Sequence, residues 1–291
     1  MKKIFFLAAA MSVAMFVSCE KQGGNNDDDN ATKVTVAEDA LVLHLPFEDG
    51  EVAVGKGFSY DSKKGTADFV DGFIGKCYTN TAASADSEAY LKYNIAADNC
   101  INDLTSFTFS AWVKRPANGS GAFFSINGGV DGFWWTTMQF IYDNLVGEEG
   151  AQEHQFNGRF EHNGVAQWPN TQNVAFTALD TWYQIVRTYD ENTSEWNVYV
   201  DGVKLPIVDG DGNPINKMMD GENPLGALNL ANEAMNALYI GGWASRIEGK
   251  QNETWMTYFN GSIDEVRIYN RALTDQEIGQ LWQQEKLINL E

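Results

Sequence analysis

Positive charge, histidine and cysteine are all scarce in this sequence. Its 291 residues hold 20 Lys and Arg against 40 Asp and Glu, with three His and three Cys, for a formal net charge of −20. Nucleic acids and anionic headgroups demand clustered Lys and Arg, so both are excluded as partners. A zinc centre built on His and Cys is poorly supported. Hard, oxygen-ligated calcium is compatible with the acidity. Beyond residue 18 no run approaches eighteen apolar residues, so no membrane-spanning helix is expected.

What is present begins with a leader. Lys2 and Lys3 precede an apolar stretch over 4–17, too short to span a bilayer, which ends in Phe16-Val17-Ser18-Cys19. That ending resembles a lipobox, which makes residues 1–18 a lipoprotein signal peptide and Cys19 the acylated residue. The lipid on Cys19 would be the whole membrane anchor. Residues 19–36 read as a disordered acidic tether, with Gly23-Gly24, Asn25-Asn26 and Asp27-Asp28-Asp29 and no aromatic to bury. An acidic stretch after a lipidated cysteine also resembles a surface-export signal, so the expected location is the outer membrane of a Gram-negative bacterium, on the cell surface. Export permits disulfides, and the two remaining cysteines, Cys77 and Cys100, can form one bridge or pack as free buried thiols.

Residues 37–291 form the expected domain. Short apolar runs at 41–47, 89–95, 107–113, 121–126, 133–142, 182–189, 196–200, 238–240 and 263–269 are separated by Gly, Asn and Asp. Many short strands with turns between them predict an all-β, antiparallel two-sheet sandwich. Asp201-Gly202 between apolar runs predicts a two-residue type I′ hairpin, because both central residues need positive φ. Thr274 and Glu277 form a capping box, with Leu273 and Ile278 as its hydrophobic staple. Ile278, Leu281 and Trp282 share one face of the C-terminal helix that follows and would lie against the sandwich.

The order of motifs resembles the bacterial laminin-G-like family of concanavalin A-like jelly rolls. Leu43-His44-Leu45-Pro46-Phe47-Glu48, the 106–113 strand, the 182–202 hairpin region, Tyr239-Ile240-Gly241-Gly242 and the 259–274 segment carry the resemblance, over about residues 41–285. It implies two curved antiparallel sheets, frequent glycan recognition and often one structural calcium, here between Glu48 and Asp264. Loops 143–175 and 206–236 are longer than a minimal domain needs, and long loops on a rigid scaffold carry specificity.

Aromatics make up 13% of the chain and include nine Trp. Trp112 and Trp182 are expected in the core, where each large buried side chain contributes about 1.5–3 kcal/mol. Trp168, Trp243 and Trp255 lie nearer loops and are ligand candidates. In 133–142, Trp134, Met138, Phe140 and Tyr142 fall on one face, while Trp135, Thr137 and Gln139 fall on the other. In 155–162, Phe156 and Phe160 alternate with Asn157, Arg159 and Glu161. If these runs pair, the Met/Phe face is core, and Trp135, Thr137, Gln139, Asn157, Arg159 and Glu161 make a wet polar strip. A polar strip bearing one Trp suits a glycan, and an ordinary solvated sheet face has the same pattern.

The chain lacks the alternating Glu-x-Asp-x-Glu carboxylates of laminarinase-like hydrolases, the Arg/Glu-rich and Gln-x-His strands of alginate-lyase-like members, and a Gly-x-Ser-x-Gly elbow. The sequence therefore reads as a lipid-anchored polysaccharide-binding protein without catalysis. A hydrolase or lyase of unfamiliar motif, and an adhesion module that binds envelope proteins, are the competing readings.

Overall fold

The structure, a computed structural model, describes residues 33–80, 87–116, 120–130, 135–144, 153–169, 174–175, 179–251 and 253–290. In chain order the first strands are β1 (Leu41–Leu45), β2 (Val54–Gly55), β3 (Phe58–Gly65), β4 (Ala67–Asp71), β5 (Lys76–Asn80) and β6 (Ala89–Ile95). Then come β7 (Phe107–Lys114), β8 (Gly121–Asn127), β9 (Thr136–Asn144), β10 (Glu153–His162), β11 (Val165–Gln167) and β12 (Val174–Ala175). The third group is β13 (Tyr183–Asp190), β14 (Glu195–Val200), β15 (Val203–Leu205), β16 (Met219–Asp220), β17 (Asn223–Pro224) and β18 (Ala237–Ile240). A short helix α1 (Ala244–Ile247), strand β19 (Ser262–Tyr269) and helix α2 (Asp275–Asn289) complete the chain.

Two antiparallel sheets carry the sandwich. Sheet A runs β15-β14-β13-β7-β19-β1-β2, with β5 on β19 and β4 on β5. Sheet B runs β11-β10-β9-β8-β18-β6-β3, with β12 on β10. Alternation decides which side chains lie between them. Phe107, Phe109, Phe124, Met138, Phe140, Phe156, Phe160 and Trp196 all belong to the one large core. Phe109 and Phe140 stack across the sheets with ring centroids 4.0 Å apart, an arrangement that adds to simple burial. The parity of β9 and β10 is thus the one expected.

The turn signals also hold. Val200 pairs Val203, and Asp201 and Gly202 take φ of 49° and 76°, as a type I′ turn requires. The Thr274–Glu277 capping box is formed. Leu273, Ile278 and Leu281 are buried with Val36, Val186, Tyr199 and Tyr269 in a second cluster that seats α2 on the outer face of sheet A. Trp282 is half-buried beside it.

Under α2 lies a buried polar cluster. Glu285, on the same helical stripe as Ile278 and Leu281, accepts from Trp112 Nε1 at 2.6 Å and Gln184 Nε2 at 2.6 Å. Arg267 bridges Glu285 and Glu265, and His44 Nε2 meets Glu265 at 2.8 Å. Trp112 is buried as expected, in this outer layer and not between the sheets. Trp182 is only half-buried.

Cys77 and Cys100 are unbonded and buried, so the bridge option gives way to two separate thiols. Burial pushes them up to about 12 and about 11, respectively. Such thiols are poor nucleophiles at neutral pH.

One inward side chain breaks the apolar rule. Arg187 on β13 lies between Phe109 on β7 and Val198 on β14, both in the main core. Its guanidinium sits 5.5 Å from the Trp196 ring centroid, and burial pulls it down to about 9, so it keeps its charge at neutral pH. A desolvated cation–π contact returns about 2 kcal/mol. Burying an ion costs several kcal/mol, so the ring offsets only part.

Candidate functional site

The strip expected to be wet sits on the outer face of sheet B. One register row crosses five strands there: Lys92 on β6, Tyr239 on β18, Ser125 on β8, Gln139 on β9 and Arg159 on β10. Most of the strip is nevertheless buried. Thr137, Gln139, Arg159 and Glu161 are 0%, 1%, 1% and 3% exposed, while Trp135 and Asn157 are half-buried. Segments 241–251 and 253–258 fold back over β8 and β9, while Arg159 and Glu161 are engaged by Thr136, Val130 and Trp168. Ala244 N–H donates to Ser125 Oγ at 3.0 Å. Trp243 and Met256 pack on Ala122 and Ile141.

Trp243 is therefore part of that cover and not a surface platform. Its Nε1–H donates to the Thr257 carbonyl at 2.8 Å. The exposed partner is Trp255, 43% accessible and edge-on to Trp243 with centroids 5.4 Å apart. Thr137 and Gln139 lie in the floor. Thr137 Oγ1 donates to the Asn127 carbonyl at 2.9 Å, and Gln139 Oε1 accepts from Ser125 Oγ at 3.4 Å.

Arg159 is the hub of the open end. Its Nη1 donates to the Thr136 carbonyl and, at 2.8 Å, to Thr136 Oγ1. Its Nη2 donates to Glu161 Oε1 at 2.9 Å, and Glu161 Oε2 accepts the Val130 N–H at 2.9 Å. The Trp168 ring centroid lies 5.5 Å from the guanidinium, and Trp168 is 46% exposed. Next to Thr136, Trp135 has Lys250 Nζ 4.6 Å from its ring centroid. An immobile cation thus backs Trp168, while Trp135 lies against Lys250 at the same end of the face. Such a locked guanidinium loses little further entropy when a ligand arrives.

Two hollows flank this end. One of about 170 Å³ is lined by Gln167, Trp168, Asn216, Lys217 and Met219 among others. The other, of about 200 Å³, is lined by Val130, Glu161, Asn229, Asn232 and Glu233 among others. Lys217 and Lys250 escaped the sequence reading, and no spacing signal marks them. The 206–236 loop supplies both hollows while burying Met218, Leu225, Leu228 and Leu230 in the core, so it closes the sandwich and shapes the face together. Cys19 and Trp134 lie outside the described residues.

Glu48 and Asp264 do meet, at the 72–76 turn. Asp264 Oδ2 accepts the Phe73 and Ile74 N–H groups at 2.8 and 2.9 Å, and Oδ1 accepts the Glu265 N–H at 2.8 Å. Glu48 Oε1 accepts the Lys76 N–H at 2.7 Å. A Cβ on Gly75 would fall 1.8 Å from Glu48 Oε1, and one on Gly72 2.5 Å from Asp264 Oδ2, so both glycines are needed. Burial holds the Asp264 carboxyl well above the usual range, and the neighbouring Glu265 adds to the rise. Three of the four carboxylate oxygens of this pair, the groups a calcium ion would draw on, already accept backbone N–H groups. We expect EDTA to leave the Tm within about a degree of its untreated value, by differential scanning fluorimetry. A fall of several degrees would place an ion at the turn after all.

Residues 86–279 match the family profile described as the concanavalin A-like lectin/glucanases superfamily. No curated protein matches the chain. Among solved structures, the T. cruzi calreticulin globular domain aligns at a TM-score of 0.52 and 15% identity, over 85% of this chain and 95% of that one. The binding domain of botulinum neurotoxin DC, solved with rat synaptotagmin II, aligns at 0.52 and 11%, over 85% of this chain and 52% of that one. Domain 4 of AbnA, a GH43 extracellular arabinanase from Geobacillus stearothermophilus solved with arabinotriose, aligns at 0.47 and 18%, over 83% and 97%. At such identities the likeness concerns the fold.

Proposed function

Because the chain belongs to the concanavalin A-like lectin/glucanases superfamily, we propose that it binds a polysaccharide on the outer face of sheet B, with Trp168 as the principal platform. The observation that carries this reading is the half-exposed Trp168 indole held against a fully buried, hydrogen-bonded Arg159. A flat ring stacks on the C–H face of a pyranose, and the amides of Gln167 and Asn216 beside it suit sugar hydroxyls. Trp255, edge-on to Trp243, offers a second exposed ring.

Binding without cleavage is supported by the state of Glu161. Glycosidases need two available carboxyls at a set separation, and both Glu161 oxygens are engaged, one by Arg159 and one by the Val130 N–H. Glu233 lines the same hollow, so the same assay should also look for reducing ends. Tethering through a lipid on Cys19 to the outer membrane remains part of the proposal.

Affinity electrophoresis through a panel of polysaccharides tests it. The wild type should be retarded by at least one, and Trp168→Ala should weaken that interaction by about 10–100-fold, or roughly 1.4–2.8 kcal/mol. Its Tm should shift by less than about 2 °C, since half-exposed positions contribute little to stability. Retardation by no polysaccharide, or new reducing ends, would overturn the reading. Capture of envelope proteins without glycan would favour the adhesion alternative.

A further inference from the structure

Arg187 poses a problem that the protein's own groups leave unsolved. Its Nε, Nη1 and Nη2 have no hydrogen-bond partner among the described residues, and neither has Trp196 Nε1. Both side chains are closed to solvent, Arg187 at 1% and Trp196 at 0% exposure. The residues set around Arg187 along β13, β7 and β14 are Ile185, Tyr189, Phe109 and Val198, which bring no negative charge. Burial is the sole influence on its titration, with no carboxylate contributing. Elsewhere in this fold the buried guanidiniums of Arg159 and Arg267 each have an acid partner. Arg187 has none among the described residues.

A protonated guanidinium in an apolar interior needs a counter-charge, because desolvating it costs more than one aromatic face returns. We propose that a small monovalent anion of the halide type is bound inside the sandwich, against the Arg187 guanidinium and beside the Trp196 indole N–H. Water supplies dipoles but leaves the charge uncompensated. Sulfate and phosphate are larger and hold their hydration more strongly. The halide suits a site of N–H donors and ring edges with no fixed geometry. The position matters to the fold. Trp196 reaches the point on β10 where a Cβ on Gly158 would lie 2.6 Å from its ring, directly behind the strand that carries Arg159.

Crystals of the full-length domain grown in sodium bromide, with data collected at the bromine absorption edge, give the decisive test. An anomalous peak beside Arg187 is expected, and its replacement by water density or by no density would overturn the proposal. In solution, exchanging sodium gluconate for sodium chloride at constant ionic strength should raise the Tm by several degrees and saturate. Arg187→Met should abolish that dependence. A wild-type Tm indifferent to the halide would count against the site, and the bromide experiment decides even if the variant fails to fold.

Discussion

Arg267→Met is expected to destabilise the domain by about 3–5 kcal/mol, because it leaves two buried carboxylates without their shared cation. Arg267 bridges Glu265 and Glu285, which are 3% and 0% exposed. At about 2–4 °C per kcal/mol for a domain of this size, the Tm should fall by roughly 10 °C. Replacing all three by apolar side chains, Arg267→Met with Glu265→Leu and Glu285→Leu, should recover only part of the loss: the ion cluster is gone, but the Trp112 and Gln184 donors lose their acceptor on Glu285. The pH dependence should reverse as well. In the wild type, burial pushes the Glu265 carboxyl up, but Arg267 and His44 together pull it below its ordinary value. Its stabilisation is then present above the normal carboxylate range and lost as pH falls. Without Arg267, burial dominates and the folded state prefers the protonated acid, so the deficit should shrink as pH falls towards 5. Burial likewise lowers His44, whose contribution is full above about 6.5 and lost below it. Urea melts of both proteins from pH 5 to pH 8 would check these signs, and parallel profiles would refute them.

Arg159→Leu should cost a similar 3–5 kcal/mol, because Glu161 keeps its burial and loses its cation. Polysaccharide retention should disappear along with it, since Trp168 and the Thr136 backbone both rest on the same guanidinium. This outcome differs in kind from Trp168→Ala, which removes the contact and spares the frame. Glu161→Gln gives an intermediate case: it keeps one acceptor for Arg159 but loses the charge and the acceptor for the Val130 N–H, so its losses should be smaller than those of Arg159→Leu. Equal losses of stability for Trp168→Ala and Arg159→Leu would show that the ring is structural.

The strand runs, the Asp201-Gly202 hairpin and the Thr274 cap were legible because each is a local signal: alternation, positive φ, an orphan N–H. The strands β3, β4 and β5 were not. Phe58–Gly65 is a polar edge strand with a single buried residue, and an edge strand has no apolar face to announce it. The parity of β9 and β10 was readable, yet the exposure inferred from it was wrong for Thr137, Gln139, Arg159 and Glu161. Parity says which face a side chain takes, and only tertiary contacts say what covers that face. A hint existed in Trp243 and Met256, too apolar for a solvated loop. Glu285 gave a similar hint, standing four and seven residues along the stripe from Leu281 and Ile278. Arg187 gave none: its spacing marked it as inward, and nothing in a sequence shows how such a charge is met.

Indole N–H resonances offer the most direct test of where a ligand binds. In a two-dimensional ¹H–¹⁵N spectrum titrated with an oligosaccharide from whichever polysaccharide retards the protein, Trp168 Nε1–H should shift most and Trp255 next. The indoles of Trp112 and Trp196, sealed in the interior, should stay in place. Shifts that leave Trp168 untouched while another surface responds would contradict the account.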